Sequence, residues 1–188
     1  MDALLTALLA CLLVEMGDRC QVLTLALSVR YRKTAPLIAG IVAAAFANAI
    51  LSAVAGGLLS KMIGPDARTL LLGLALVSAA AGLFMPVKRP DLLSGWRIGP
   101  FLTGGFGLFI LAFGNSAQFL TVAIAARADN PVLTAIGAGI GMAIAWVPIV
   151  LLKSQFFIAL PLRWIRRVGG GVLLVIGAVM GLSALGLL

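Results

Sequence analysis

The chain alternates between long apolar stretches and short polar separators. Apolar residues, with few interruptions, fill positions 3–29, 36–60, 69–87, 98–126, 130–152 and 168–188. Each stretch approaches or exceeds the roughly 20 residues that an α-helix needs to cross the hydrocarbon core of a bilayer. The separators hold glycine, proline and clustered charges, which commonly end helices. The pattern therefore predicts six transmembrane helices.

Composition points to the same class of protein. The 188 residues are 62% hydrophobic and 11% charged, with a mean hydropathy of +1.17, whereas soluble domains carry about 25% charged residues. We expect one all-α integral membrane domain over residues 1–188. A cleaved signal peptide is not expected, because the first apolar stretch follows Asp2 rather than a basic segment.

The net charge of +8 resides mainly in the separators, which favours membrane orientation over nucleic-acid binding. Cytoplasmic loops of membrane proteins collect lysine and arginine. Ten basic residues lie in the first, third and fifth connections, and three lie in the second and fourth: Arg30, Arg32, Lys33, Lys88, Arg89, Arg97, Lys153, Arg163, Arg166 and Arg167, against Lys61, Arg68 and Arg127. Both termini should therefore face away from the cytoplasm. A bacterial inner membrane is the expected location, although the charge count does not identify it.

The fifth connection interleaves aromatic residues, such as Phe156 and Trp164, with arginines. This fits a segment that lies in the headgroup region beside anionic lipids. A plain loop with aromatic anchors explains the pattern equally well.

Polar positions recur after 97 residues. Seven residues of the first half match seven of the second: Gly17, Gln21, Leu23, Thr24, Ala26, Arg30 and Gly40 match Gly114, Gln118, Leu120, Thr121, Ala123, Arg127 and Gly137. This predicts two three-helix repeats, residues 1–90 and 98–188. Because each repeat has an odd number of helices, the second copy would enter the membrane in the opposite orientation to the first. Such inverted repeats are typical of secondary transporters, although channels and some non-transporters also have them.

Charged side chains interrupt the first apolar stretch at Glu15, Asp18 and Arg19. Each costs about 2.5 to 3.5 kcal/mol at the centre of a membrane helix, so such a cluster indicates a functional site. On a continuous helix these three residues and Gln21 share one face. A Glu15–Arg19 pair that only fixes packing is the alternative, but it leaves Asp18 without a partner, and an unpaired carboxylate there would bind a cation or a proton.

The matching positions of the second half are Ala112, Asn115, Ser116 and Gln118, which keep a polar face without an acid or a base. Both faces together, with Thr24 and Thr121, offer an all-oxygen shell that suits manganese, calcium or magnesium. We expect no site for a soft metal, because the chain has no histidine and neither cysteine, Cys11 nor Cys20, shares the acidic face of a continuous helix.

Glycines within the apolar stretches have two interpretations. Gly17 and Gly114 either break the helix locally, exposing backbone carbonyls, or allow close helix packing. Gly137, Gly139 and Gly141 are interpreted as packing residues only, and Asn48 as a polar contact between helices.

Glu15-Met16-Gly17-Asp18-Arg19 resembles the Glu-x-Gly-Asp-Lys/Arg-Ser/Thr motif of the Gdt-one-like family of calcium/manganese cation–proton exchangers, which carry the motif once in each inverted half. The resemblance implies that Glu15 and Asp18 bind cation and proton in alternation, beside Gln21. The chain departs from this pattern at its second motif, described above, and at Cys20, where a hydroxyl is usual.

We expect a secondary active transporter that exports manganese, or calcium, in exchange for protons. The expected cation and proton ligands are Glu15, Asp18, Gln21, Asn115 and Gln118, with Glu15 and Asp18 as the metal-binding carboxylates; Arg19, Ser116, Thr24 and Thr121 are expected to support them. We do not expect an enzyme, because no nucleophile stands beside a base and no metalloprotease helix motif occurs. We expect no resident cofactor, because the cation is cargo. The alternative is a non-transporting membrane scaffold or partner subunit that has lost the second acidic motif, and a homodimer is left open.

Overall fold

A computed structural model describes residues 2–187, which form nine α-helices and no strand. In chain order these are α1 Asp2–Glu15, α2 Arg19–Arg30, α3 Thr34–Leu59, α4 Pro65–Phe84, α5 Pro100–Ala112, α6 Ser116–Arg127, α7 Pro131–Leu152, α8 Ser154–Ala159 and α9 Leu162–Ala184. Helices α4, α5 and α7 begin with a proline, which is favourable because the first helical residue needs no N–H partner. The predicted all-α class is confirmed.

Four helices, α3, α4, α7 and α9, are long and apolar enough to cross a membrane. The pair α5 and α6 qualifies as one further span, bent by 70° at its break. The chain is therefore a multi-pass integral membrane protein. The predicted first span, residues 3–29, consists of α1 and α2, whose junction holds the charged cluster.

The last predicted span begins earlier in the structure than the sequence indicated. Helix α9 begins at Leu162 rather than at residue 168, and α8 occupies part of the fifth connection. Arg163, Arg166 and Arg167 therefore belong to the first turns of a helix, where long basic side chains can reach polar groups while their stems pack on apolar surface. The predicted span also includes residue 188, which lies outside the described residues.

Close helix packing depends on glycines at matching positions of the two halves. A methyl group on Gly40 would collide with the carbonyl oxygen of Phe101, and one on Gly137 with that of Leu4. Both the glycines and their partners are 97 residues apart. Gly141 lies against the Leu8 carbonyl in the same way, and Gly139 against the Phe46 ring. The predicted packing role of Gly137, Gly139 and Gly141 is therefore confirmed.

Candidate cation site

Both halves of the chain contain a helix break at glycine. Helix α1 ends at Glu15 and α2 begins at Arg19, while α5 ends at Ala112 and α6 begins at Ser116. Gly17 and Gly114 have φ angles of 72° and 73°, in the left-handed region that glycine adopts without steric cost. The expectation of a continuous first helix is therefore wrong, and the interpretation of these glycines as breaks is confirmed.

A glutamine secures each break through the same contact. The Gln21 side-chain oxygen accepts a hydrogen bond from the Gly17 N–H at 2.8 Å, and that of Gln118 accepts one from the Gly114 N–H at 2.5 Å. Each glutamine therefore satisfies a backbone donor that the broken helix leaves without a partner.

The same glutamines connect the breaks to the long helices. Gln21 Nε2 donates to the Ala145 carbonyl of α7 at 2.7 Å, and Gln118 Nε2 donates to Asn48 Oδ1 of α3 at 3.3 Å. Asn48 also donates to the Phe109 carbonyl at 3.4 Å, so its predicted role as a contact between helices is confirmed.

Glu15 lies where the two breaks meet and is fully buried. One carboxylate oxygen accepts from Asn115 Nδ2 at 2.7 Å, and the other accepts from Trp146 Nε1 at 2.8 Å. These donors satisfy the carboxylate and offset part of its desolvation. Glu15 and Arg19 do not form a turn of one helix, because the break at Gly17 lies between them.

Trp146 is a site residue that sequence reasoning missed. It is fully buried in the middle of α7, whereas tryptophan in membrane proteins usually lies at the membrane–water interface. A tryptophan in the middle of an apolar stretch was the available signal, because a buried indole N–H needs an acceptor.

A cavity of about 210 Å³ reaches the site from the side where α4 ends and α9 begins. Four predicted site residues line it: Asp18, Arg19, Asn115 and Ser116. Lys88 and Arg166 also line it. Glu15 lies behind Asn115, one hydrogen bond from the cavity.

Arg166 is the second residue that sequence reasoning missed. Its guanidinium donates to the Gly17 carbonyl at 2.9 Å and the Met16 carbonyl at 3.4 Å, and on its other side to Gly82 at 3.0 Å and Met85 at 2.9 Å. Arg166 thus joins the first break to the end of α4. Its place among the basic residues of a predicted loop carried no signal of these contacts.

Cys20 lies beside the acidic residues. Its sulfur and one carboxylate oxygen each of Glu15 and Asp18 all lie within 4.8 Å of one another. The expectation that neither cysteine shares the acidic face is therefore wrong for Cys20. It assumed one continuous helix, whereas the break redirects α2 relative to α1.

Thr24 and Thr121 do not line the cavity. Each donates its hydroxyl to a carbonyl one turn earlier in its own helix, Cys20 and Ala117 respectively, at 2.8 Å. Thr121 also lies 3.2 Å from the Cys11 sulfur. The structure thus brings Glu15, Asp18, Arg19, Asn115 and Ser116 together around the cavity, and gives the glutamines and threonines internal partners.

Comparison with known proteins gives two matches. The family model described as "Divalent cation/proton antiporter GDT1" matches residues 3–91 and again residues 100–187. A protein of Vibrio cholerae serotype O1 described as "Putative manganese exporter" is 32% identical over 175 residues, which cover 93% of this chain and 88% of that protein. No solved structure matches the chain.

Proposed function

Because the chain belongs to the divalent cation/proton antiporter GDT1 family, we propose that it is a secondary active transporter that exports a divalent cation in exchange for protons. Manganese is the first candidate, in line with the description of the Vibrio cholerae relative, and calcium is the second. The observation that carries the proposal is the buried Glu15 carboxylate at the meeting of two helix breaks, one hydrogen bond behind a cavity.

Glu15 and Asp18 are the proposed alternating ligands of cation and proton. A carboxylate can neutralise part of a dication or take up a proton, and an ionisable group at membrane depth commonly marks an ion pathway. Asp18 lines the cavity, so an ion meets it first. Asn115 orients the Glu15 carboxylate through its amide nitrogen, while its side-chain oxygen accepts from the Gln118 N–H at 2.9 Å in this state. The Ser116 hydroxyl lines the cavity and is a further oxygen ligand, and Asn115 Oδ1 joins the shell only by sharing its backbone contact.

Gln21 and Gln118 hold the breaks open in this proposal. Their side-chain oxygens already accept from glycine N–H groups, so they act on the cation through the backbone rather than by direct ligation in this state. Thr24 and Thr121 support the first turns of α2 and α6. Arg19, Lys88 and Arg166 supply the positive charge that faces the acids at the cavity.

The cavity opens beside Lys88 and Arg166, which belong to the connections richest in basic residues. We assign this side to the cytoplasm, so the described state faces inward and both termini lie outside. Residues 1–90 and 98–188 would be inverted three-helix repeats, with α1 and α2 counted as a span, and their rocking would expose the site to the other side. A carboxy-terminal reporter active only in the cytoplasm would contradict this orientation.

Growth of a manganese-sensitive host that lacks its own exporter tests the function. Expression of the chain should restore growth on manganese and lower cellular manganese, and Glu15→Gln with Asp18→Asn should remove both effects. Asp66→Asn is the matched control, because Asp66 is exposed at the start of α4. Absence of protection by well-expressed protein would count against export.

A membrane scaffold is the second candidate. It is favoured by Ala112, which is 1% exposed and replaces the acid at the second break with a core methyl group. A scaffold would tolerate Glu15→Gln with Asp18→Asn in the partner function it supports, whereas a transporter would not.

A further inference from the structure

We propose that Cys20 is a third ligand of the transported cation and tunes the site toward divalent cations that accept a thiolate. This inference rests on the proposed function and deepens it, because it separates manganese from calcium. It also adds zinc, cobalt and cadmium as ions that the site accepts.

The geometry brings three different donors to one point. The Cys20 sulfur and the oxygens of Glu15 and Asp18 lie within 4.8 Å of one another. Metal–ligand bonds of about 2.0 to 2.3 Å place neighbouring ligands roughly 3 to 4 Å apart. A closure of about 1 Å therefore lets one ion contact all three donors.

Packing alone does not require a sulfur at this position. The matching residue of the second half is Ala117, which is also fully buried and also accepts a hydrogen bond from the threonine one turn later. A methyl group therefore suffices at that place in the helix. At these matching positions, cysteine occurs only in the half that has the acids. Cys20 is fully buried and forms no disulfide.

The charges around the cavity indicate why a thiolate would strengthen cation binding. Three basic residues, Arg19, Lys88 and Arg166, formally exceed the two acids at the cavity, so a dication that entered would find no net attraction. When the metal binds, the S–H bond breaks, a metal–sulfur bond forms, and the proton passes to water in the cavity. The thiolate thus adds one negative charge at the ion.

Ligand chemistry sets the direction of the selectivity. Calcium and magnesium are hard cations that take oxygen ligands, whereas thiolates suit softer ions. Affinity for mixed ligands rises from manganese toward zinc and other late transition metals. The sulfur should therefore favour manganese over calcium, and cadmium, zinc and cobalt more strongly still.

Cadmium titration of the purified full-length protein in detergent tests the inference. The chain has only two cysteines and no histidine, so Cys11→Ser leaves Cys20 as the sole thiol. Cadmium should produce the ultraviolet thiolate-to-metal charge-transfer band in the wild type and in Cys11→Ser. Cys20→Ser should lack the band, and its cadmium-to-calcium affinity ratio should fall by at least about tenfold, since even partners behind a metal ligand are worth that much.

Absence of the band in folded Cys11→Ser would overturn the inference, even if Cys20→Ser failed to fold. An unchanged cadmium-to-calcium ratio in Cys20→Ser would overturn it as well. Manganese–proton exchange of Cys11→Ser in proteoliposomes is measured separately. Exchange without the band refutes the ligand role and leaves the transporter function standing, whereas the band without exchange refutes the function and supports the ligand role.

Discussion

The two helix breaks, at residues 15–19 and 112–116, have nearly the same backbone conformation. The glycine φ angles are 72° and 73°, and the residues that precede α2 and α6, Asp18 and Asn115, have ψ angles of 173° and 172°. A glutamine accepts from the glycine N–H in both. The shape of the break therefore depends on glycine and glutamine rather than on charge.

The two breaks differ in charge and in how closely side chains pack against their glycines. Only the first carries acids, and Arg166 packs against its glycine, whereas Gly114 has no neighbour that a methyl group would meet within 4 Å. The second break instead supplies Asn115, which donates to Glu15. The first break thus holds the carboxylates that we propose as cation ligands, and the second break positions one of them, Glu15.

The largest effect should follow from Asp18→Asn, which gives the first break the residue that the second has at this place. Loss of a full charge beside a dication should lower manganese flux by at least about a hundredfold, even at an effective dielectric near 20. Gln21→Ala should retain more flux, because water can replace an amide contact to backbone. Flux assays on both variants decide, and equal residual flux would refute these roles.

The next largest effect is expected on stability, when each of the two break glycines is replaced by alanine. Both variants force alanine into the left-handed region, at about 1 to 2 kcal/mol each. Gly17→Ala should lose more stability than Gly114→Ala, because its methyl group would also meet Arg166 Cδ at 3.0 Å. Thermal unfolding in detergent measures both, and equal losses would show that Arg166 does not pack on the first break in solution.

The length of the apolar stretches and the composition were sufficient to predict the class and most helices. The charged cluster could be identified because charged residues are rare and costly inside such stretches. The breaks could not be decided in advance, since a glycine such as Gly17 serves close packing as readily as a left-handed turn. Trp146 and Arg166 were missed because their partners are distant in sequence: a carboxylate on α1 and backbone carbonyls at Gly17 and Gly82. Cys20 was misjudged because its direction depends on the break.

Restoring acid to the second break should have an intermediate effect. The Asn115 amide nitrogen lies 2.7 Å from a Glu15 carboxylate oxygen. Asn115→Asp would place a second carboxylate there, and because the two carboxylates repel each other, the variant should unfold at a lower temperature when no cation is bound. A bound dication should offset that repulsion and tighten manganese binding by about tenfold or more. Ala112→Glu in addition should destabilise the protein, because Ala112 is buried in the core.

Unchanged manganese affinity in stably folded Asn115→Asp would mean that the second break does not contribute to the cation site. The thermal shift caused by manganese, compared between this variant and the wild type, reports the affinity change without a transport assay.

The smallest effect should follow from Arg166→Lys. Lysine keeps the charge but lacks the planar guanidinium that donates to the Gly17 and Gly82 carbonyls at the same time. The loss of about 1 kcal/mol of hydrogen bonding should lower flux roughly threefold to tenfold. Arg167→Lys is the control, because Arg167 is exposed on the next position of the same helix. Equal flux in the two variants would show that the clamp at Arg166 has no part in transport.

The most direct test is cation flux in proteoliposomes with an imposed proton gradient, measured for manganese, calcium and magnesium. We expect manganese to move against the proton flow and proton movement to follow manganese addition. Glu15→Gln or Asp18→Asn should remove both. Manganese flux that ignores the proton gradient, or that persists in both variants, would contradict the proposal that the acids of the first break exchange a divalent cation for protons.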